Sequence, residues 1–144
     1  MKTVVKNVYY CDFCNKRSLS ASHTKKHEKH CTKNPDRECG LCKQNIDLKP
    51  LIEKYSNRYE IVEHISKYEG LDFENIEFKW IGEPVKYQQI LNDVEGCPVC
   101  ALAVVRLSGL SDCEVNRDEF DYPYVKELKI WWDEENSQHS EDYY

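Results

Sequence analysis

Three Cys-x2-Cys pairs constrain the fold of this chain more than any other feature of its sequence. The pairs are Cys11/Cys14, Cys39/Cys42 and Cys97/Cys100. A chain of 144 residues forms one ordinary domain, or one small domain with a metal-held appendage. Its 8 cysteines indicate either a disulfide framework or metal sites, and the cellular compartment decides between the two.

The N-terminus and the hydropathy of the chain indicate the compartment. Residues 1–6 (MKTVVK) lack the apolar stretch of a secretory signal. No segment approaches the roughly 20 apolar residues that a membrane span requires. We therefore expect a cytoplasmic protein without membrane association, whose cysteines are reduced or bound to metal.

The first predicted metal site combines the first cysteine pair with a histidine-rich run. Twelve residues separate Cys14 from His27, and three more precede Cys31. A tight turn presents two thiolates, and ligands at i and i+4 lie on one face of a helix, so the four side chains can surround one ion. The run SASHTKKHEKHC predicts that helix, with Ser20 or Ser22 as its N-cap. We call Cys11, Cys14, His27 and Cys31 the finger set.

The three histidines of this run leave other ligand choices open. His23 and His27 also form an i, i+4 pair, and His30 can replace Cys31. All three histidines can also be solvated surface residues. The finger set is favoured because thiolates compete well for zinc.

The spacing of the finger set resembles the Cys2His2 class of zinc fingers, with cysteine in place of the last histidine. The resemblance covers about 25 residues and implies a ββα fold around Zn²⁺. Tyr9 matches the aromatic residue before the first cysteine, but the family's other two core positions fall on Ser18 and Thr24. We therefore expect the finger to borrow core contacts from Leu19, from Phe13 or from the rest of the protein.

The other two pairs complete a second predicted zinc site, Cys39, Cys42, Cys97 and Cys100, which we call the tetracysteine set. In spacing it resembles treble-clef and zinc-ribbon sites. Gly40 predicts a knuckle turn in the first pair. Pro98 and the apolar run 101–105 predict a helix after the second pair, with Cys97 as its N-cap. An ion here would close a loop of 54 residues between Cys42 and Cys97.

A redox function is the alternative for the last pair. Cys97-Pro-Val-Cys100 resembles the active-site motif of thioredoxin-like proteins. That fold requires a strand directly before the motif, whereas YQQILNDVEG predicts a helix that ends at Gly96. The eighth cysteine, Cys113, is interpreted as a spare, half-buried thiol.

The remaining segments predict an α+β body. Asn57 and Glu60 form a capping-box pattern before a predicted helix at 58–69, and PLIEKY predicts a shorter helix. IEFKWIG alternates as a strand, a further helix starts at Pro84, and ELKIWW predicts a second strand that pairs with the first. We divide the chain into a zinc finger at 1–36, an acidic body at 37–132 and a flexible acidic tail at 133–144.

Charge separates these parts. Residues 1–44 carry 10 Lys/Arg against 4 Asp/Glu, and the rest carries 10 against 22. A basic segment is compatible with phosphate binding, whereas the acidic body repels a nucleic-acid backbone. The candidate nucleic-acid contacts are Lys25, Lys26, Lys29 and Lys33.

The sequence indicates binding in preference to catalysis. Glu63-His64 between two cysteine pairs faintly resembles zinc-ribbon-supported HNH nucleases, but the second histidine of that family is missing. The overall arrangement is similar to small bacteriophage zinc-finger proteins, a class without a settled function. The resemblance implies an accessory protein in the host cytoplasm. We expect a non-catalytic adaptor with two Zn²⁺ ions that binds a protein partner, with nucleic-acid binding as the alternative.

Overall fold

The computed structural model of the chain describes residues 1–44, 46–111 and 119–141. Within these ranges it combines two antiparallel hairpins with five helices, which agrees with the predicted mixture of helix and strand. In chain order the elements are β1 (Tyr9–Tyr10), β2 (Arg17–Ser18), α1 (Ala21–His30), α2 (Lys49–Ser56), β3 (Tyr59–Tyr68), β4 (Leu71–Trp80), α3 (Tyr87–Asp93), α4 (Pro98–Leu107) and α5 (Tyr124–Glu141). The helices of the described ranges are all too short or too polar to cross a bilayer. Cys113 lies outside these ranges.

A short hairpin followed by a helix forms the N-terminal part. β1 and β2 pair with Tyr9 opposite Ser18. Ser20 is the N-cap of α1, as predicted, because its hydroxyl accepts a hydrogen bond from the His23 amide. Leu19 and Phe13 are exposed, so the prediction that they complete a finger core is wrong. Thr24 is buried instead, and its hydroxyl donates to the Ser20 carbonyl at 3.1 Å.

The predicted helix at 58–69 is wrong, because this segment is strand β3. Asn57 caps the C-terminus of α2 and does not start a new helix. Glu69 and Gly70, with φ of 51° and 78°, form a two-residue turn of the type that favours hairpins. β3 then pairs over its whole length with β4, which confirms the predicted strand at IEFKWIG but gives it a different partner.

The core lies among the helices of the body. α4 is apolar on most sides and contributes Ala101, Val104 and Val105 to the buried cluster. α2 adds Tyr55 and α3 adds Ile90, both of which are fully buried. The helices predicted at PLIEKY and after Cys97 are confirmed. α3 is shorter than predicted at both ends, since it runs only from Tyr87 to Asp93.

The predicted strand at ELKIWW is also wrong, because these residues belong to α5. Tyr124, Leu128, Trp131 and Glu135 are half-buried at helical spacing, and α5 packs against α4. The apparent alternation of apolar residues therefore coincides with a helical stripe. Residues 133–141, predicted as the start of a flexible tail, continue this helix.

Candidate metal centres

The four side chains of the finger set converge between the first hairpin and α1. One ligand atom from each residue lies within 4.8 Å of those of the others. Cys11 and Cys31 are almost fully buried, and His27 Nε2 lies 3.1 Å from Cys14 Sγ. His27 comes from the last turn of α1, and Cys31 is the residue that ends this helix. A hairpin and a helix terminus thus bring together residues that are 20 positions apart in the chain.

Both cysteine turns share a backbone feature that the sequence does not reveal. The residue after the second cysteine is left-handed in each case, with φ of 61° at Asn15 and 54° at Lys43. In the first turn the Asn15 amide donates to the Cys11 carbonyl at 2.9 Å. Gly40, which the sequence singles out for the second turn, is not left-handed. The turns therefore close after the cysteine pair and not inside it.

The other two histidines lie outside the finger set. His23 is exposed in the first turn of α1. His30 Nδ1 lies 2.8 Å from the carbonyl oxygen of Glu38, directly before the second cysteine turn. The structure therefore favours His27 with Cys31 among the alternatives that the sequence leaves open.

The tetracysteine set converges at the start of α4. Its four sulfur atoms lie within 4.8 Å of one another, with 3.7 Å between Cys39 and Cys97 and again between Cys42 and Cys100. Cys97 is the N-cap of α4 and Pro98 is its first residue, as predicted. Cys42 is half-buried, and the other three are buried. The described cysteines are all free thiols.

The thiols of each set perturb one another. A hydrogen bond with Cys100 is the largest influence on Cys97 and lowers its pKa to about 5. The same contact, with burial, raises the pKa of Cys100. Burial raises the pKa of Cys31 and of Cys42 to about 11. A divalent cation at the centre would instead favour the thiolate at every ligand.

The segment between the two sets connects them. The Glu38 amide donates to the Lys29 carbonyl at 3.0 Å, and Lys29 Nζ lies 3.3 Å from the Glu38 carboxylate. Arg37 donates through Nε to the His30 carbonyl at 3.2 Å, and its Nη1 lies 3.9 Å from Cys100 Sγ. A guanidinium beside the tetracysteine set balances part of the negative charge of its thiolates. Sequence reasoning missed this role of Arg37, because only the fold brings it to Cys100.

Both donor sets fit a metal ion by their chemistry. Each offers four soft or borderline ligands, all within reach of a single ion, and each of the two groups could hold one. Comparisons with protein-family models, with curated proteins and with solved structures found no match. The functional argument therefore depends on the geometry of these residues.

The candidate nucleic-acid contacts do not act as one face. Lys25 and Lys26 are exposed on α1, Lys33 is half-buried, and Lys29 pairs with Glu38. A cavity of about 210 Å³ beside α1 is lined by basic groups of the first hairpin and helix, among them Lys16, Arg17 and His23.

Glu63 and His64 lie far along the chain from any donor set, on the exposed hairpin. His64 Nε2 lies 2.9 Å from a carboxylate oxygen of Glu77 on the neighbouring strand. Neither residue belongs to a described group that could hold a metal ion. The structure therefore adds no second histidine to the nuclease-like pair.

Proposed function

We propose that this protein is a non-catalytic binding protein whose two structural Zn²⁺ ions are held by the finger set and the tetracysteine set. The observation that carries this proposal is that each set supplies four protein ligands to one point. A four-coordinate zinc site of this kind has no position left for substrate or water. Such sites need reduced thiols, so we place the protein in the cytoplasm, which is the host's cytoplasm for a phage protein.

Native mass spectrometry of the purified chain tests the metal content. We expect two zinc ions per chain, falling to one in His27→Ala and to one in Cys97→Ser. Cys113→Ser is the matched control and should keep both ions, because neither set includes it. A wild-type chain with a single ion and a reversible Cys97–Cys100 disulfide would favour the redox function instead.

The acidic body offers a surface for a protein partner. Val125, Ile130 and Trp132 are exposed on α5, and Asp133 and Glu134 follow in the sequence. A tryptophan beside carboxylates suits an apolar pocket rimmed by Lys or Arg. Following the resemblance to phage proteins, we propose a host protein as this partner. Trp132→Ala should weaken the complex at least tenfold while both ions stay bound, and an unchanged affinity would contradict this surface.

Nucleic-acid binding by the N-terminal part is the second candidate. The cavity lined by Lys16, Arg17 and His23 favours it, because it lies beside the exposed Lys25 and Lys26. Backbone phosphates would contact these groups without base recognition. The acidic body opposes such binding, so we rank it second.

A further inference from the structure

The β3–β4 hairpin extends from the core with most of its apolar side chains in solvent. Only its base is anchored, where Phe78 is buried and its ring lies 5.1 Å from that of Tyr59 and 4.8 Å from that of Trp80. Further out, Ile65 is 72% exposed and Tyr68 is 67% exposed. Each strand of ten residues is about 33 Å long. Two isolated strands are marginally stable in water, and additional strands stabilise them.

The outer edge of β3 is suited to pairing. Its ten residues pair one to one with β4, so the strand has no bulge, and it contains no proline. In a hairpin closed by a two-residue turn, Tyr68 and Leu71 exchange backbone hydrogen bonds. The odd-numbered residues of β3 therefore direct their N–H and C=O groups to the open edge. Within the described chain, β3 has no strand other than β4 beside it.

We infer that β3 pairs antiparallel with β3 of a second copy of this chain, with the two Ile65 residues opposite each other, to form a continuous four-stranded sheet. This register places Glu63 opposite Lys67 of the second copy, and Lys67 opposite its Glu63. Among the described residues, neither Glu63 nor Lys67 takes part in an ion pair. The dimer supplies both missing partners.

Neighbouring registers lack this complementarity. Centring the pair on residue 63 places two Glu63 carboxylates opposite each other, and centring it on residue 66 places Glu63 opposite Glu69. Centring it on residue 64 pairs two His64 side chains and leaves Glu63 opposite Ile65. Directly opposed like charges destabilise a sheet, and opposite charges stabilise it. The charge pattern of β3 therefore selects the register centred on Ile65.

The same register joins apolar side chains across the seam. On the face that carries the even-numbered residues of β3, Val62 lies opposite Tyr68 of the second copy. Tyr68 is itself paired with Leu71 in its own hairpin. Each end of the seam thus carries a row of three apolar side chains, and cross-strand contacts of this kind stabilise sheets. This self-association is independent of the proposed partner surface on α5 and of the metal centres.

Charge reversal on the full-length, zinc-loaded chain tests the inference. Sedimentation equilibrium measures the dimer dissociation constant of the wild type, Glu63→Lys, Lys67→Glu and the double variant. Each single reversal turns two opposite-charge pairs into two like-charge pairs, so we expect at least a tenfold weaker dimer. The double variant restores the pairs and should recover the wild-type constant. Glu74→Lys is the matched control, because it changes the same charge on the other strand, away from the seam.

Three results would overturn the inference. The first is a wild-type chain that stays monomeric at about 0.5 mM, a concentration at which cross-strand pairing of this extent should be populated. The second is a double variant that remains as weak as the singles. The third is an equal effect of Glu74→Lys and Glu63→Lys, because the dimer would then respond to net charge and not to the register. Two bound ions in every variant confirm that the fold is retained.

Discussion

Removing the second half of the tetracysteine set should destabilise the body strongly. We consider Cys97→Ser combined with Cys100→Ser, which leaves only Cys39 and Cys42 to bind an ion. Serine has nearly the same shape as cysteine, and at position 97 it is a good N-cap for α4. The substitution therefore removes the metal crosslink while it preserves the local helix start.

The magnitude follows from the loop that the ion closes. The 54 residues between Cys42 and Cys97 include α2, the β3–β4 hairpin and α3. If the ion acts as a crosslink, loop-closure entropy for about 55 residues corresponds to about 4 kcal/mol at 25 °C. Small domains have a total free energy of unfolding of about 5 to 15 kcal/mol. The double variant should therefore retain one zinc ion, in the finger set, and be marginally stable.

Urea unfolding monitored by tryptophan fluorescence, together with native mass spectrometry, measures both quantities. The control is Cys113→Ser, which should keep two zinc ions. A double variant that still binds two ions would show that the tetracysteine set is not a metal centre. A double variant that loses an ion but keeps the wild-type free energy of unfolding would refute the crosslink argument.

Three further predictions concern single sites. The hydroxyl of Tyr55 donates to Asp93 and, with Lys54, holds the pKa of that carboxyl below its ordinary value against the opposing effect of burial. Tyr55→Phe should cost about 1.5 kcal/mol at pH 7 in urea unfolding, and the difference should shrink as the pH falls below about 4, because the wild type then loses the charged acceptor; a constant difference would contradict this. Phe78→Ala should cost about 3 to 5 kcal/mol and raise amide exchange throughout residues 59–80, because it removes the buried base of the hairpin; exchange that stays at the wild-type rate would show another anchor. If the N-terminal part binds nucleic acid, fluorescence anisotropy should show binding that weakens steeply with salt and a smaller salt slope in Lys25→Gln/Lys26→Gln; salt-insensitive or absent binding would exclude this candidate.

The donor sets could be predicted from sequence because ligand spacing is a local property. Turns and helix faces place cysteine and histidine ligands at fixed intervals, so the pattern around Cys11 and His27 predicts which side chains meet. The helix after Cys97 could be predicted for the same reason, since its proline and its apolar run are adjacent. The structure brings all of these residues together as the pattern predicts.

Segments with ambiguous periodicity needed the tertiary structure. Ile61, Val62, Ile65 and Tyr68 satisfy a helical spacing, but Glu69 and Gly70 turn the chain back so that β4 can pair with β3. Residues 127–132 alternate like a strand, but they form a helix because one helical stripe packs against α4. In both cases the choice depends on a partner element that a local pattern does not contain.

The sequence alone determined the two groups of ligands, the basic N-terminal part and the acidic body, because each depends on residue types and on short intervals along the chain. Tertiary structure decided which histidine joins the finger set, where Arg37 lies, and which apolar side chains remain in solvent. These outcomes depend on contacts between distant segments, whose free energy is shared among many residues and is not encoded in any one of them.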